Sequence, residues 1–105
     1  MSDYRKMSKD ELIELKYTMI GRGNFQVATE IRDFLNVYGK TVRVFKGRKV
    51  PIGTVGEVFW VKRYNYGKYP DPWGFYSTTK VGIKDSAGEV YFTAIGNVEV
   101  IEEEN

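Results

Sequence analysis

Residues 81–101, Val-Gly-Ile-Lys-Asp-Ser-Ala-Gly-Glu-Val-Tyr-Phe-Thr-Ala-Ile-Gly-Asn-Val-Glu-Val-Ile, restrict the folding of this chain more than any other stretch. Val81 to Lys84 and Glu89 to Thr93 are rich in β-branched and aromatic residues. Asp85-Ser86-Ala87-Gly88 between them has the chemistry of a tight turn, so the pair predicts a β-hairpin. Ala94 to Asn97 is too short for an α-helix and too turn-like for a strand, and Val98 to Ile101 then alternates as a last short strand. A hairpin, one tight helical turn and a closing strand predict the tail of a small five-stranded barrel that begins near Thr41.

The remaining 40 residues switch period. Ser8-Lys9-Asp10-Glu11 has the form of a capping box, in which Ser8 and Glu11 satisfy each other's amides at a helix start. Leu12, Leu15 and Met19, with Ile13 and Ile20 beside them, recur at helical spacing until Gly21-Arg22-Gly23, where either glycine can take the left-handed cap. Asn24 is an N-cap for a second helix whose Val27, Ala28, Ile31, Phe34, Leu35 and Tyr38 step by three and four, and Gly39 ends it. So short a connection predicts an antiparallel αα-hairpin. Residues 1 to 7 read as a frayed, mixed-charge end.

Val42 and Val44 alternate with Arg43 and Phe45 as a first strand within Lys40 to Lys46. Residues 47 to 53 are a loop, because Pro51 is barred from a central ladder. Thr54 to Tyr64 reads as a long second strand, with Gly56 as the place for a bend or bulge. Residues 65 to 75 form another loop, and Phe75 or Tyr76 to Lys84 is the third strand. Phe59 and Trp60, adjacent on a strand, are expected on opposite faces, one in the core and one beneath the helices. The expected whole is α+β: an N-terminal αα-hairpin (1–39) packed on a five-stranded β-barrel (40–101), with an acidic tail (102–105), as one folding unit.

Two family resemblances accompany this reading. Leu12-x-x-Leu15-Lys16-x-x-Met19 with Asn24-Phe25-x-x-Ala28-x-x-Ile31-Arg32-Asp33-Phe34-Leu35 resembles the UVR motif, a helical hairpin of nucleotide excision repair subunits. The resemblance implies a docking surface for a protein partner or a second copy. Ala28 is followed by Thr29 where that family commonly has a second alanine, and the connection here is short and Gly-rich. The order of strands and loops over residues 41–101 resembles an SH3-like barrel. Gly53-Thr54-x-Gly56-x-Val58 resembles its KOW subgroup, found in ribosomal proteins and elongation factors, as Gly96-Asn97-Val98-Glu99-Val100-Ile101 resembles that fold's last turn and strand. The barrel serves RNA, DNA, peptides and other proteins alike.

Composition narrows the chemistry. The chain of 105 residues contains neither histidine nor cysteine, which removes the commonest general base, the commonest zinc ligand and all thiol chemistry. It has no Gly-rich phosphate loop and no dinucleotide fingerprint. Glu57 and Asp71, the acids of residues 41–84, are two lone carboxylates. The expectation is a non-catalytic binding module with no cofactor and no metal. Without a long apolar run or a signal-like N-terminus, no membrane partner is expected and the location is expected to be cytoplasmic.

Charge is uneven: residues 41–84 hold nine Lys/Arg against two Asp/Glu, while residues 85–105 hold no Lys/Arg and six Asp/Glu. That predicts a basic face, or one cancelled by the acidic tail folding onto it. Lys62, Arg63, Tyr64, Tyr66, Lys68, Tyr69, Trp73, Phe75 and Tyr76 fall within fifteen residues, more rings than a small barrel buries. Exposed rings beside cations suit base stacking with phosphate contacts, so RNA or single-stranded nucleic acid is the expected ligand. Arg48 and Lys49 are expected to extend the surface from the same side. The same rings with Pro70 and Pro72 also describe a peptide groove, which makes a protein-binding adaptor the alternative; Trp73 and some tyrosines could equally fold back as a lid.

Overall fold

The computed structural model describes residues 4–101. The acidic tail expected at 102–105, and the first three residues, lie outside the described residues. A 3-10 turn, Tyr4–Lys6, leads into α1 (Lys9–Gly21) and α2 (Phe25–Val37). β1 (Thr41–Val44), β2 (Val55–Asn65), β3 (Ser77–Lys84) and β4 (Val90–Ala94) follow. A second 3-10 turn, Ile95–Asn97, then joins β4 to β5 (Val98–Val100). The fold is α+β, two helices followed by one antiparallel sheet in the order β4-β3-β2-β1-β5.

Local chemistry sets the helix ends. The Glu11 amide donates to Ser8 Oγ at 3.1 Å and the Ser8 amide donates to Glu11 Oε1 at 2.9 Å, so the capping box is complete. These bonds to Ser8, its amide first, hold the Glu11 carboxyl below its ordinary range. Gly23, at φ 75°, is the glycine that turns the chain between the helices. Asn24 Oδ1 then accepts from the Val27 amide to start α2. Gly39, at φ 76°, reverses the chain into β1.

The N-terminal segment differs from its frayed expectation. Tyr4 is buried, its ring edge-on to Phe34 with centroids 5.4 Å apart and its hydroxyl donating to Glu30 Oε1 at 2.6 Å. An aromatic ring with a hydroxyl that finds a partner is worth burying, and it draws residues 4–7 onto α2. Leu12 of α1 and Ile31, Phe34 and Val37 of α2 close over Val42, Val58, Val61, Val81 and Ile83 from the sheet, and these belong to one apolar cluster.

Two details of β2 differ from expectation. The register shift lies between Val58 and Trp60, at Phe59, and not at Gly56. Gly56 is required for another reason: a Cβ there would come within 2.5 Å of Ile83 Cγ2 and of the Lys84 carbonyl oxygen. The bulge also overturns the opposite-face expectation for Phe59 and Trp60. An extra residue restarts the alternation, and both rings come to rest against Phe92 of β4 on the face away from the helices, with neither in the core. Among the described residues no helix is long and apolar enough to cross a membrane.

Gly56→Ala tests the close crossing of β2 and β3. Because the contact includes backbone, the neighbour cannot simply swing away, and the variant should lose about 1–3 kcal/mol in urea denaturation; a loss below about 0.5 kcal/mol would contradict the crossing.

Candidate functional site

Helices cover one face of the sheet, and alternation sends every second strand residue to the other. The register lays that open face out in rows. Glu57 lies across from Lys84; Trp60 across from Gly82, whose β4 neighbour is Phe92; Lys62 across from Lys80, with Ala94 beyond; and Tyr64 across from Thr78. Gly82 makes room for rings, since a Cβ there would stand 2.9 Å from atoms of both Phe59 and Phe92.

The rings form a connected surface. Trp60 meets Phe92 edge-on, centroids 5.4 Å apart at 90°, and approaches Tyr64 at 6.3 Å. Tyr66 and Tyr76, at the edge where β2 leaves the sheet, meet at 6.5 Å and 85°. Trp60, Tyr64, Tyr66, Thr78, Lys80 and Phe92 line an open depression of about 560 Å³.

Lys62 and Lys80 are direct cross-strand neighbours, an arrangement that costs stability between like charges. Neither has a carboxylate partner among the described residues. Both ammonium groups lie near the Tyr64 ring instead, 5.3 and 5.9 Å from its centroid. The ring's π cloud moderates the repulsion, as cation–π contacts do, and leaves two cations beside exposed aromatic surface.

The 66–76 loop is held by Asp71. Its Oδ1 accepts from the amides of Gly74 (3.1 Å) and Phe75 (3.0 Å), and its Oδ2 accepts from the Tyr76 amide and the Ser77 hydroxyl (2.9 Å). Burial pushes this carboxyl up, but the amides of Tyr76, Phe75 and Gly74 with the Ser77 hydroxyl outweigh it, and the group sits below its ordinary range. Asp71 is thus an organiser of backbone and not an acid–base candidate. Asn65 adds a second tie, donating to the Tyr69 carbonyl at 2.9 Å and accepting from the Gly67 amide at 2.8 Å. Trp73 turns toward the hairpin and stacks on Phe25, centroids 5.3 Å apart at 19°. Tyr69, Pro70, Pro72, Trp73 and Tyr76 line a shallow groove of about 370 Å³.

Three of the residues expected to form a basic surface are elsewhere. Arg63 points to the helix side, where Nε donates to Gln26 Oε1 and Nη1 donates to Thr79 Oγ1 at 3.0 Å. Its guanidinium is spent on the fold because the bulge sets Arg63 on the inward phase of β2. Arg48 and Lys49 precede β2, in a loop tied to Val44, while Tyr64 lies at the far end of that eleven-residue strand and Tyr66 just beyond it. The two loops therefore occupy opposite ends of β2 and do not share a side.

Lys62, Tyr64, Tyr66 and Tyr76 do come together, and Lys68, Tyr69 and Trp73 flank them on the loop. Trp60, Lys80 and Phe92 belong to the same face and were not singled out by sequence. Gly82 was their available signal, because an isolated glycine inside a strand marks a close approach from above. Among the described residues no group of His, Cys, Asp or Glu side chains is placed to hold a metal ion. No protein-family model matches the chain and no curated protein matches its sequence.

Asp71 makes the loop pH-sensitive with a definite sign. A carboxyl whose folded value is depressed contributes stability above its unfolded value, about 3.9, and loses it as pH falls through the folded one. Amide exchange at Phe75 and Tyr76, taken relative to the intrinsic rate at each pH, should accelerate on acidification below about pH 4. In Asp71→Asn it should be fast already at neutral pH and lack that acid step; an acid step of the same size in the variant would remove Asp71 from the role.

Proposed function

We propose that the protein is a non-catalytic module that binds single-stranded nucleic acid, RNA or DNA, on the open face of β2, β3 and β4. Unpaired bases stack on Trp60, Tyr64, Phe92 and the Tyr66–Tyr76 pair while Lys62 and Lys80 hold phosphates. The observation that carries this reading is the Lys62–Lys80 couple beside Tyr64, without a carboxylate partner among the described residues. Two like charges set side by side without an acid are a cost to the folded protein alone, and a polyanion removes it. Flat rings with adjacent cations accept any base by its π face, which favours strands whose bases are already splayed.

The contact surface proposed here is the strand face, with the 66–76 loop as its rim. The strand order and the helical turn before β5 support the finer reading of an SH3-like barrel, and with it the resemblance to the KOW subgroup. A second reading, a protein-binding adaptor, is favoured by the hairpin. Tyr17 and Ile20 of α1 are exposed, and with Phe25 and Arg32 they border a small groove between the helices. Binding lost on Tyr17→Ala but indifferent to Tyr64→Ala would select the adaptor.

Trp60 and Trp73 are the two tryptophans of the chain, so Trp73→Phe makes Trp60 the sole reporter. Titration with oligo-uridine and oligo-thymidine at low salt should quench it saturably, and the affinity should fall as salt rises. Tyr64→Ala should weaken binding by about 1–3 kcal/mol, the value of one stacked base. Lys80→Ala should flatten the log–log salt slope by about 0.7, and the double variant Arg48→Ala/Lys49→Ala should bind like the parent. Absence of quenching at low salt would overturn the proposal.

A further inference from the structure

The open face is not uniform along β2. At its start, in the depression bordered by Phe59 and Val90, Glu57 lies across from Lys84, and Asp85 turns its carboxylate onto the amides of its own turn, Ala87 and Glu89. Beyond Trp60 the row is Lys62–Lys80, then Tyr64–Thr78, then the Tyr66–Tyr76 edge. Asp71, in the loop at that edge, turns its carboxylate onto the loop's own amides. A polyanion crossing the face therefore meets two ammonium groups at the Lys62–Lys80 row and a charge-balanced row at Glu57–Lys84.

Between those limits the rings make three stations: the Trp60–Phe92 pair, Tyr64, and the Tyr66–Tyr76 pair. Trp60 and Tyr64 are four residues apart on one strand, and their ring centroids approach to 6.3 Å. Three bases are joined by two phosphodiesters, and two cations, Lys62 and Lys80, lie between the outer stations.

Building on the nucleic-acid reading, we infer that the site takes a short segment of about three unpaired nucleotides, and that the row where Glu57 offsets Lys84 ends its path. The footprint is far smaller than the nine basic residues of the 41–84 segment suggest. With two phosphates engaged, the log–log salt slope is about −1.4. The stations read rings and not sugars, so RNA and DNA share the same length limit.

Labelled oligo-uridine and oligo-thymidine from one to eight nucleotides, titrated into the full chain by fluorescence anisotropy, test the inference. Affinity should climb steeply to about three nucleotides and thereafter gain only the statistical factor of extra registers. Glu57→Lys, on the exposed row, should lengthen the saturating oligonucleotide by about one residue and steepen the salt slope by about 0.7. Affinity still rising tenfold or more between three and eight nucleotides, or a slope steeper than about −3, would overturn the short path while leaving nucleic-acid binding intact. No binding at any length would sink the nucleic-acid reading itself. A folded Glu57→Lys variant, shown by an unchanged urea midpoint, whose length limit equals the parent's would remove Glu57 as the boundary.

Discussion

One buried carboxylate fixes how the hairpin sits on the sheet. Asp33 is 5% exposed on the inner side of α2, beside Ile31 and Phe34. A charge withdrawn from water is tolerated only when it is paired and hydrogen-bonded. Thr79, 1% exposed on β3, donates its hydroxyl to Asp33 Oδ2, and Arg63 of β2 in turn donates to that hydroxyl's oxygen. Arg32 meets the other carboxylate oxygen from the surface at 3.1 Å. Gln26, Glu30 and Asp33 recur along α2 at helical spacing and form a polar stripe beside the apolar one. Each reaches the sheet: Gln26 to Arg63, Ser77 and the Asp71 carbonyl, Glu30 to the Arg63 amide, and Asp33 to Thr79. Apolar contact alone would let α2 slide or rotate; these bonds close in only one position.

That docking decides what the opposite face becomes. With α2 covering Val58, Val61, Val81 and Ile83, their alternating neighbours must face outward. The bulge at Phe59 adds a ring to that side which regular pairing would have sent inward. Gly82 leaves a hollow into which Phe59 and Phe92 settle, so the rings brace one another edge-on instead of lying loose in solvent. Strands, and not a loop, carry the platform of Phe59, Trp60, Tyr64 and Phe92. Its rim is also tied to α2, through Asp71 and Gln26 on one side and Trp73 on Phe25 on the other.

Features that depend on a few neighbouring residues could be read directly from the chain. The Ser8–Glu11 box, the Asn24 cap, the 85–88 turn and the helical turn at 95–97 are all chemistry within four or five positions, and strand limits fell within a residue or two for the same reason. What escaped reading was set by distant partners. Nothing near Arg63 in sequence marks it as facing Gln26 and Thr79, and nothing near Tyr4 announces Glu30 and Phe34. The one-residue shift at Phe59 has no local signature either, yet it decides which rings and lysines share a face. Asp71 is an intermediate case, for Asp71-Pro72-Trp73-Gly74 is ordinary turn grammar in which the first residue caps the amides that follow.

The charge balance shows most clearly why composition alone misleads about a binding surface. Of the cations in residues 41–84, Arg43 is paired across strands with Glu99, Arg63 is absorbed by the seam with α2, Lys84 lies across from Glu57, and Lys46, Arg48 and Lys49 stand at the wrong end of β2. Lys62, Lys80 and the loop residue Lys68 remain near the rings. A segment that looks like a broad polyanion-binding face therefore reduces to two or three cations, and their field is short-ranged at physiological ionic strength, where screening acts within about 8 Å. Under that screening long-range attraction contributes little, so the proposed nucleic-acid binding would draw its affinity from contact: bases against Trp60, Tyr64 and Phe92, and phosphates against the lysines beside those rings.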